Sequence, residues 1–252
     1  MRSQELLDFY YDLAGETFVV IDLETTGGNF DFDRAIEVAV VRASLREGIT
    51  LQRCDLIDPG MAIPPRIQQF TGIRPAMLAQ APTPQTVWPD YVPVLQAGIL
   101  TGHNVSFDYT FARRELARLG IAFARLPQEQ LCTVQLARLL LADLPSRSLP
   151  NLVRHFNFPI ARSHRAADDA LACWLLLKTL LAMLWREPPE NLLAKFAQQW
   201  IGLEEAAVIV GCPPTTVVEQ LAQAGLEPQW VKRSGRLRYR RGAVEAIAPP
   251  FG

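Results

Sequence analysis

The chain has 252 residues, 49% of them apolar and 20% charged, enough for an ordinary buried core and too apolar for wholesale disorder. A formal charge of −1 excludes a protein that coats nucleic acid through bulk positive charge and leaves room only for a local basic patch. Four dispersed cysteines (Cys54, Cys132, Cys173, Cys212) form no CxxC pair, which argues against a zinc ribbon and a disulfide scaffold.

The N-terminus carries acids from Glu5 onward and has no apolar stretch of signal-peptide type, so no signal peptide is expected, and a short amphipathic helix is expected near residues 4–13. Strands follow at 17–23, 35–45 and 49–57, each rich in Val and Ile. Eight of the nineteen prolines fall between Pro59 and Pro93, and this stretch reads as loops and short helical turns. A fourth strand is expected at 98–102, then helices at 105–119, 133–142, 149–157 and 165–185. Within the last, Ala170–Trp185 is the most apolar stretch of the chain, but it is interrupted by Lys178 and, at about 16 residues, too short to cross a bilayer. Strands first and helices later describe an α/β protein with a mixed sheet covered by helices. Pro188-Pro189 marks the domain boundary, because two prolines cannot continue a helix. The expected organisation is residues 1–15, an N-terminal helix; 16–185, the main domain; 186–202, a linker and connecting helix; and 203–252, a small second domain. A soluble, cytoplasmic protein without membrane contact is expected.

Three segments carry carboxylates where a core should lie. The apolar run Phe18-Val19-Val20-Ile21 ends in Asp22-Leu23-Glu24-Thr25-Thr26-Gly27. Alternation along a strand puts Asp22 and Glu24 on one face, about 6–7 Å apart. Two acids beside a core repel unless a cation compensates them, although a solvated strand end is the bland account. Gly102-His103-Asn104-Val105-Ser106-Phe107-Asp108 closes a strand and opens a helix, with Asn104 as an N-cap type. There Asp108 could simply complement the helix terminus, and His103 reads as a hydrogen-bonded structural histidine. In Ser163-His164-Arg165-Ala166-Ala167-Asp168-Asp169, Ser163 could cap the next helix and Asp168 complements its N-terminus.

Taken together and in this order, DLETTG, HNVSFD and HRAADDA resemble the DEDDh (DnaQ-like, polymerase III epsilon-type) family of 3′→5′ exonucleases. Weaker family-like stretches lie at Asp33–Glu37, Thr71–Ile73 and Ala81–Thr83, and the resemblance covers roughly residues 16–184. It implies a ribonuclease H-like fold and four metal ligands, Asp22, Glu24, Asp108 and Asp169. Two divalent ions, Mg²⁺ or Mn²⁺, would sit about 3.5–4 Å apart, one acidifying the attacking water and the other stabilising the leaving oxygen. His164 would take the water's proton. Thr25 and Thr26 would face the terminal nucleotide. Family members commonly carry a bulky apolar residue after TTG, whereas this chain has Gly28 and Asn29, so Phe30, Phe32 or Phe107 would have to supply stacking. The implied partner is nucleic acid with a free 3′ end, expected to be single-stranded.

Residues 203–247 pattern as two helices, a β-pair and a last helix, and resemble an excisionase/MerR-type winged helix-turn-helix. The second helix exposes no Arg or Lys, so base reading is not its strength. The basic wing, with Lys232, Arg233, Arg236, Arg238, Arg240 and Arg241, is a candidate for phosphate binding. Three functions are carried forward: a free-standing exonuclease, a proofreading subunit in a polymerase assembly, and a catalytically inactive nucleic-acid-binding regulator.

Overall fold

The computed structural model describes residues 1–160, 164–231 and 235–249. Its contacts group into two compact units, Gly15–Leu181 on one hand, and Met1–Ala14 with Ala182–Gly252 on the other. In chain order the elements are α1 (Ser3–Asp12), β1 (Thr17–Thr25), β2 (Ala35–Ser44), β3 (Gly48–Leu56), α2 (Pro65–Thr71), α3 (Pro75–Leu78) and α4 (Pro84–Leu95). They continue with β4 (Ile99–Gly102), α5 (Val105–Arg118), β5 (Gln130–Cys132), α6 (Thr133–Leu140), α7 (Leu149–His155), α8 (Ala166–Leu184) and α9 (Pro189–Ala197). The chain ends with β6 (Trp200–Gly202), α10 (Leu203–Val210), α11 (Pro214–Gln223), β7 (Gln229–Val231), β8 (Arg236–Arg240) and α12 (Arg241–Ile247).

The first unit is built on a five-stranded sheet of order β3-β2-β1-β4-β5. β1, β2 and β3 pair antiparallel, while β4 and β5 run parallel to β1. This is the mixed α/β arrangement expected from the sequence. β1 is central, and its alternation separates two packed faces. Val19, Ile21 and Leu23 belong to the core that contains Trp88 and Tyr91 of α4 and Phe111 and Leu116 of α5. On the opposite face Phe18 meets Trp174 of α8, ring centroids 5.9 Å apart. The even-numbered residues of β1 therefore look toward α8, which decides where Asp22 and Glu24 point.

Two parts of the first unit differ from the sequence expectation. Part of the proline-rich stretch is a full helix, α4, with Pro84 in its first turn and Pro89 and Pro93 inside it. Burial of Val87, Trp88, Tyr91 and Leu95 along one face outweighs the backbone bonds lost at the two inner prolines. Short β5, unanticipated, adds a parallel edge strand through Leu100–Gln130, Thr101–Leu131 and Gly102–Cys132.

The second unit joins both ends of the chain. α1 packs with α9 rather than standing apart as a separate N-terminal helix. Glu245 of α12 accepts bonds from the Ser3 amide (2.6 Å) and hydroxyl (2.8 Å), and Trp185 Nε1 donates to Tyr10 O. Pro188-Pro189 lies in the second unit, past the Leu181/Ala182 division. Pro188 is the N-cap and Pro189 opens α9, where a missing N–H has no partner to lose. α10 to α12 surround a core of Ile201, Ala206, Ile209, Val217, Leu221, Tyr239 and Val244. The three-stranded sheet of this unit has the order β6-β8-β7.

Candidate active site

At the end of β1 the face turned toward α8 changes from Phe18 and Val20 to Asp22 and Glu24. Asp169, in the first turn of α8, completes the group: one carboxylate oxygen from each of Asp22, Glu24 and Asp169 lies within 4.8 Å of the others. Asp108 arrives from the first turn of α5 and is 5% exposed. The β1–β4 ladder stops at Val20–Thr101, so Leu23 has no partner in β4, and its amide donates to Asp108 Oδ1 at 3.0 Å. Asp108 is thus tied to β1 as well as to its own helix terminus. Asn104 is the N-cap, but in a left-handed conformation (φ 87°) and without a side-chain capping bond.

The electrostatics are those of crowded acids. Burial, followed by the neighbouring Asp108, Asp169, Glu24 and Glu37 charges, pushes Asp22 well above the ordinary carboxylate range. Burial and then Asp169 and Glu37 raise Glu24 to about 8. Asp108 also rises to about 8, through burial, despite the Leu23 hydrogen bond. Burial raises Asp169 against the lowering influence of the His164 backbone bond.

Other buried acids in the first unit are neutralised by arginine. Glu115 accepts from Arg34 Nε (2.8 Å) and Arg118 Nη1 (3.0 Å), which pins α5 to the turn after β1. Glu37 lies opposite Glu24 across β1 and β2, a like-charge pairing that would be unfavourable alone. It accepts from Arg165 Nη2 at 2.5 Å and from the Ala166 amide at 2.9 Å, and so fixes the start of α8. None of the ion pairs among the described residues includes Asp22, Glu24, Asp108 or Asp169. An all-oxygen acceptor set with raised pKa values and no ion-paired side chain among the described residues is suited to hard divalent ions.

Two expected outcomes follow directly. Replacing Glu37 by Gln should destabilise the protein by about 1–2 kcal/mol, a value reduced because Arg165 is partly solvated. Thermal melting checks this, and a stabilised variant would mean that Glu37 acts by repulsion rather than as an anchor. The second concerns pH. The folded, metal-free protein holds protons on Glu24 and Asp108 more tightly than the unfolded chain, where carboxyls titrate near 4. The contribution of these two groups to stability should be greatest at acid pH and fall as pH rises from about 4 toward 8, and saturating Mg²⁺ should remove most of that fall. Melting curves in EDTA and in Mg²⁺ measure it; rising stability over that interval in EDTA would contradict the shifts.

His164 stands at the mouth of α8 with φ 66°, and its amide donates to Asp169 Oδ2 at 3.0 Å. Its ring lies against Phe70 at the end of α2, centroids 3.8 Å apart. Phe70 is 56% exposed and was not singled out in the sequence, although the adjoining Thr71–Ile73 was. The capping role expected for Ser163 lies outside the described residues. Asp168 is half-buried in the first turn of α8, in keeping with helix-end stabilisation. His103 is structural, as anticipated: its ring nitrogens contact Thr133 Oγ1 and the Arg147 carbonyl, both at 2.9 Å, and burial lowers it to about 4.

The nucleotide-facing candidates are only partly available. Thr25 Oγ1 donates to Gly27 O at 2.6 Å, and Thr26 Oγ1 to Asp33 Oδ1 at 2.9 Å, so both hydroxyls are spent inside the turn. A Cβ on Gly27 would meet the Asp33 carboxylate, so a side chain there would have to displace the group that accepts from Thr26 Oγ1 and the Asn29 amide. Phe107 and Phe30 are partly buried against Phe111, with ring centroids 4.9 Å from it in each case, whereas Phe32 is exposed. In the second unit Lys232 and Arg233 lie outside the described residues. Arg241 is 3% exposed and donates to Gln199 Oε1, the Met1 carbonyl and Glu205. It holds the unit together and cannot reach a phosphate; Arg236, Arg238 and Arg240 remain exposed.

A mixed five-stranded sheet flanked by helices, with acids gathered at the end of its central strand, defines the class of ribonuclease H-like nucleases. The solved structure of E. coli exonuclease I with a dT13 oligonucleotide shares this fold (TM-score 0.61, 19% identity, 68% of this chain and 42% of that one). Exonuclease X in complex with 5′ overhanging duplex DNA matches 71% of this chain and 98% of its own (TM-score 0.50, 25% identity). The exonuclease family (RNase_T) matches residues 19–177, and the chain belongs to that family. The DNA polymerase III subunit epsilon of Aquifex aeolicus is 36% identical over 185 residues, 73% of this chain and 89% of that protein. The 3′-5′ exonuclease DinG of Staphylococcus epidermidis is 31% identical over 154 residues, 61% of this chain but 17% of that much longer protein. Among the described residues no helix is long and apolar enough to cross a membrane.

Proposed function

We propose that this chain is a metal-dependent 3′→5′ exonuclease of the DEDDh type, releasing nucleoside 5′-monophosphates from nucleic-acid 3′ ends. The observation that carries the reading is the set of uncompensated acids, Asp22, Glu24, Asp108 and Asp169, in a unit whose other buried carboxylates, Glu37 and Glu115, are held by arginine. These four side chains would hold two divalent ions, Mg²⁺ or Mn²⁺. Bound there, the ions supply Lewis-acid polarisation of the water and the scissile phosphate. His164 accepts the proton of the attacking water. The water oxygen bonds to phosphorus, the P–O3′ bond breaks, and the departing 3′-oxygen takes up a proton. The β1 backbone beyond Glu24 faces the terminal nucleotide, since the Thr25 and Thr26 hydroxyls are engaged within the turn.

Cleavage of 5′-labelled single-stranded DNA and RNA in Mg²⁺, Mn²⁺ or EDTA tests the proposal. A metal-dependent ladder shortening from the 3′ end is the expected result. Shortening from the 5′ end, or cleavage indifferent to EDTA, would overturn it. A second reading is favoured by the epsilon relative: the same chemistry performed as a proofreading subunit within a polymerase assembly. Stable co-purification with a replicative polymerase would select it. An inactive regulator is disfavoured, because binding alone gives no reason to assemble four acids at a core edge. The helix, helix, β-pair, helix order of α10 to α12 supports an excisionase/MerR-type winged helix-turn-helix in the second unit.

A further inference from the structure

The run of basic residues in the second unit divides by pleat. In β8, Leu237 is half-buried and Tyr239 buried in that unit's helical core, while Arg236, Arg238 and Arg240 point the other way. Register fills in their neighbours: Trp200 pairs with Arg240, Gly202 and Gln229 with Arg238, and Val231 with Arg236. The outward sheet face thus has three arginines in a row along its central strand, and none of their register partners among the described residues is a carboxylate. Gly202 leaves the flank of Arg238 open. Arg240 lies over the Trp200 ring, 4.1 Å to the centroid, and donates to the Gln198 carbonyl, yet Trp200 stays 36% exposed. Among the described residues neither Arg236 nor Arg238 enters an ion pair, whereas adjacent Arg241 points inward to Glu205.

We propose that this sheet face is a platform for single-stranded nucleic acid, its arginine row taking successive phosphates and Trp200 stacking a base. The proposal rests on the reading that the chain acts on nucleic acid. Alternate residues on a strand step by about 6.7 Å, close to the spacing of successive phosphates on an extended strand. An aromatic in line with the cations provides sequence-tolerant stacking. Duplex reading fits less well, because the exposed face of α11 carries Thr215, Thr216, Glu219, Gln220 and Gln223 and no cation.

The test uses the full chain in EDTA and a fluorescent dT20, with anisotropy read over a range of salt. In the triple variant Arg236→Gln/Arg238→Gln/Arg240→Gln, affinity should fall about 10²-fold at 0.1 M salt, and the salt slope by about two. The corresponding triple Lys variant should keep the slope, and Trp200→Ala should lose about 5- to 100-fold. If the triple Gln variant misfolds, Arg238→Gln alone should lower the slope by about 0.7. Binding is read without divalent ions and cleavage on a dinucleotide with them, so the two readings fail separately. Unchanged affinity and slope in the Gln variants would overturn the platform. Tighter binding of blunt duplex than of dT20, or displacement by polyglutamate as effective as by unlabelled dT20, would overturn it too.

Discussion

Replacing Asp22 by asparagine should abolish cleavage while making the metal-free protein more stable. The two signs have one cause. Asp22 is drawn out of water among Asp108, Asp169 and Glu24, so its charge is unfavourable until a cation arrives. Removing the charge relieves that repulsion and weakens the hold on the ion. A metal's transition-state stabilisation is worth several kcal/mol, so the rate should drop by about 10³-fold or more. Single-turnover cleavage in Mg²⁺ reads the first effect and melting in EDTA at pH 8 the second. Full metal-dependent turnover by a rigorously purified variant would remove Asp22 from the ligand set. A large loss of stability would instead make it a structural acid.

The His164→Ala variant should lose about 10²–10⁴-fold in cleavage rate, the usual contribution of a positioned proton acceptor. The ring is held against Phe70, while the backbone amide, which alanine retains, serves Asp169. Divalent-ion binding measured by calorimetry should therefore change little, and imidazole added to the buffer should restore part of the rate. An unchanged rate would exclude His164 as the proton acceptor. A collapse of metal binding would show that the side chain acts by shaping the start of α8.

Local signals in the chain carried much of this. The apolar run into Asp22 and Glu24 announced a strand ending in misplaced acids, because alternation alone puts both on one face. Asp108 and Asp169 stood near helix starts, and the motifs in order pointed to an exonuclease, the broader family (RNase_T) to which the chain belongs. Elements of the second unit were also readable, since α10, α11 and the β7–β8 pair are short and locally patterned.

Other features were illegible because their cause lies far along the chain. The prolines of α4 argue against a helix until the sheet is present to bury Trp88 and Tyr91. Nothing local accounts for the buried charge of Glu37 in an apolar strand; its partner is Arg165, 128 residues away. Phe70 acquires meaning only beside His164, and α1 only beside α9 and α12. Within one basic run, pleat and packing turned Arg241 inward and left Arg236, Arg238 and Arg240 outward. The sequence by itself determined the kinds of groups present and their local faces, because strand and helix periods are short-range. Which acid meets a cation, and which is left to need one, was decided only by the tertiary structure, since charge compensation acts through space between residues the chain keeps far apart.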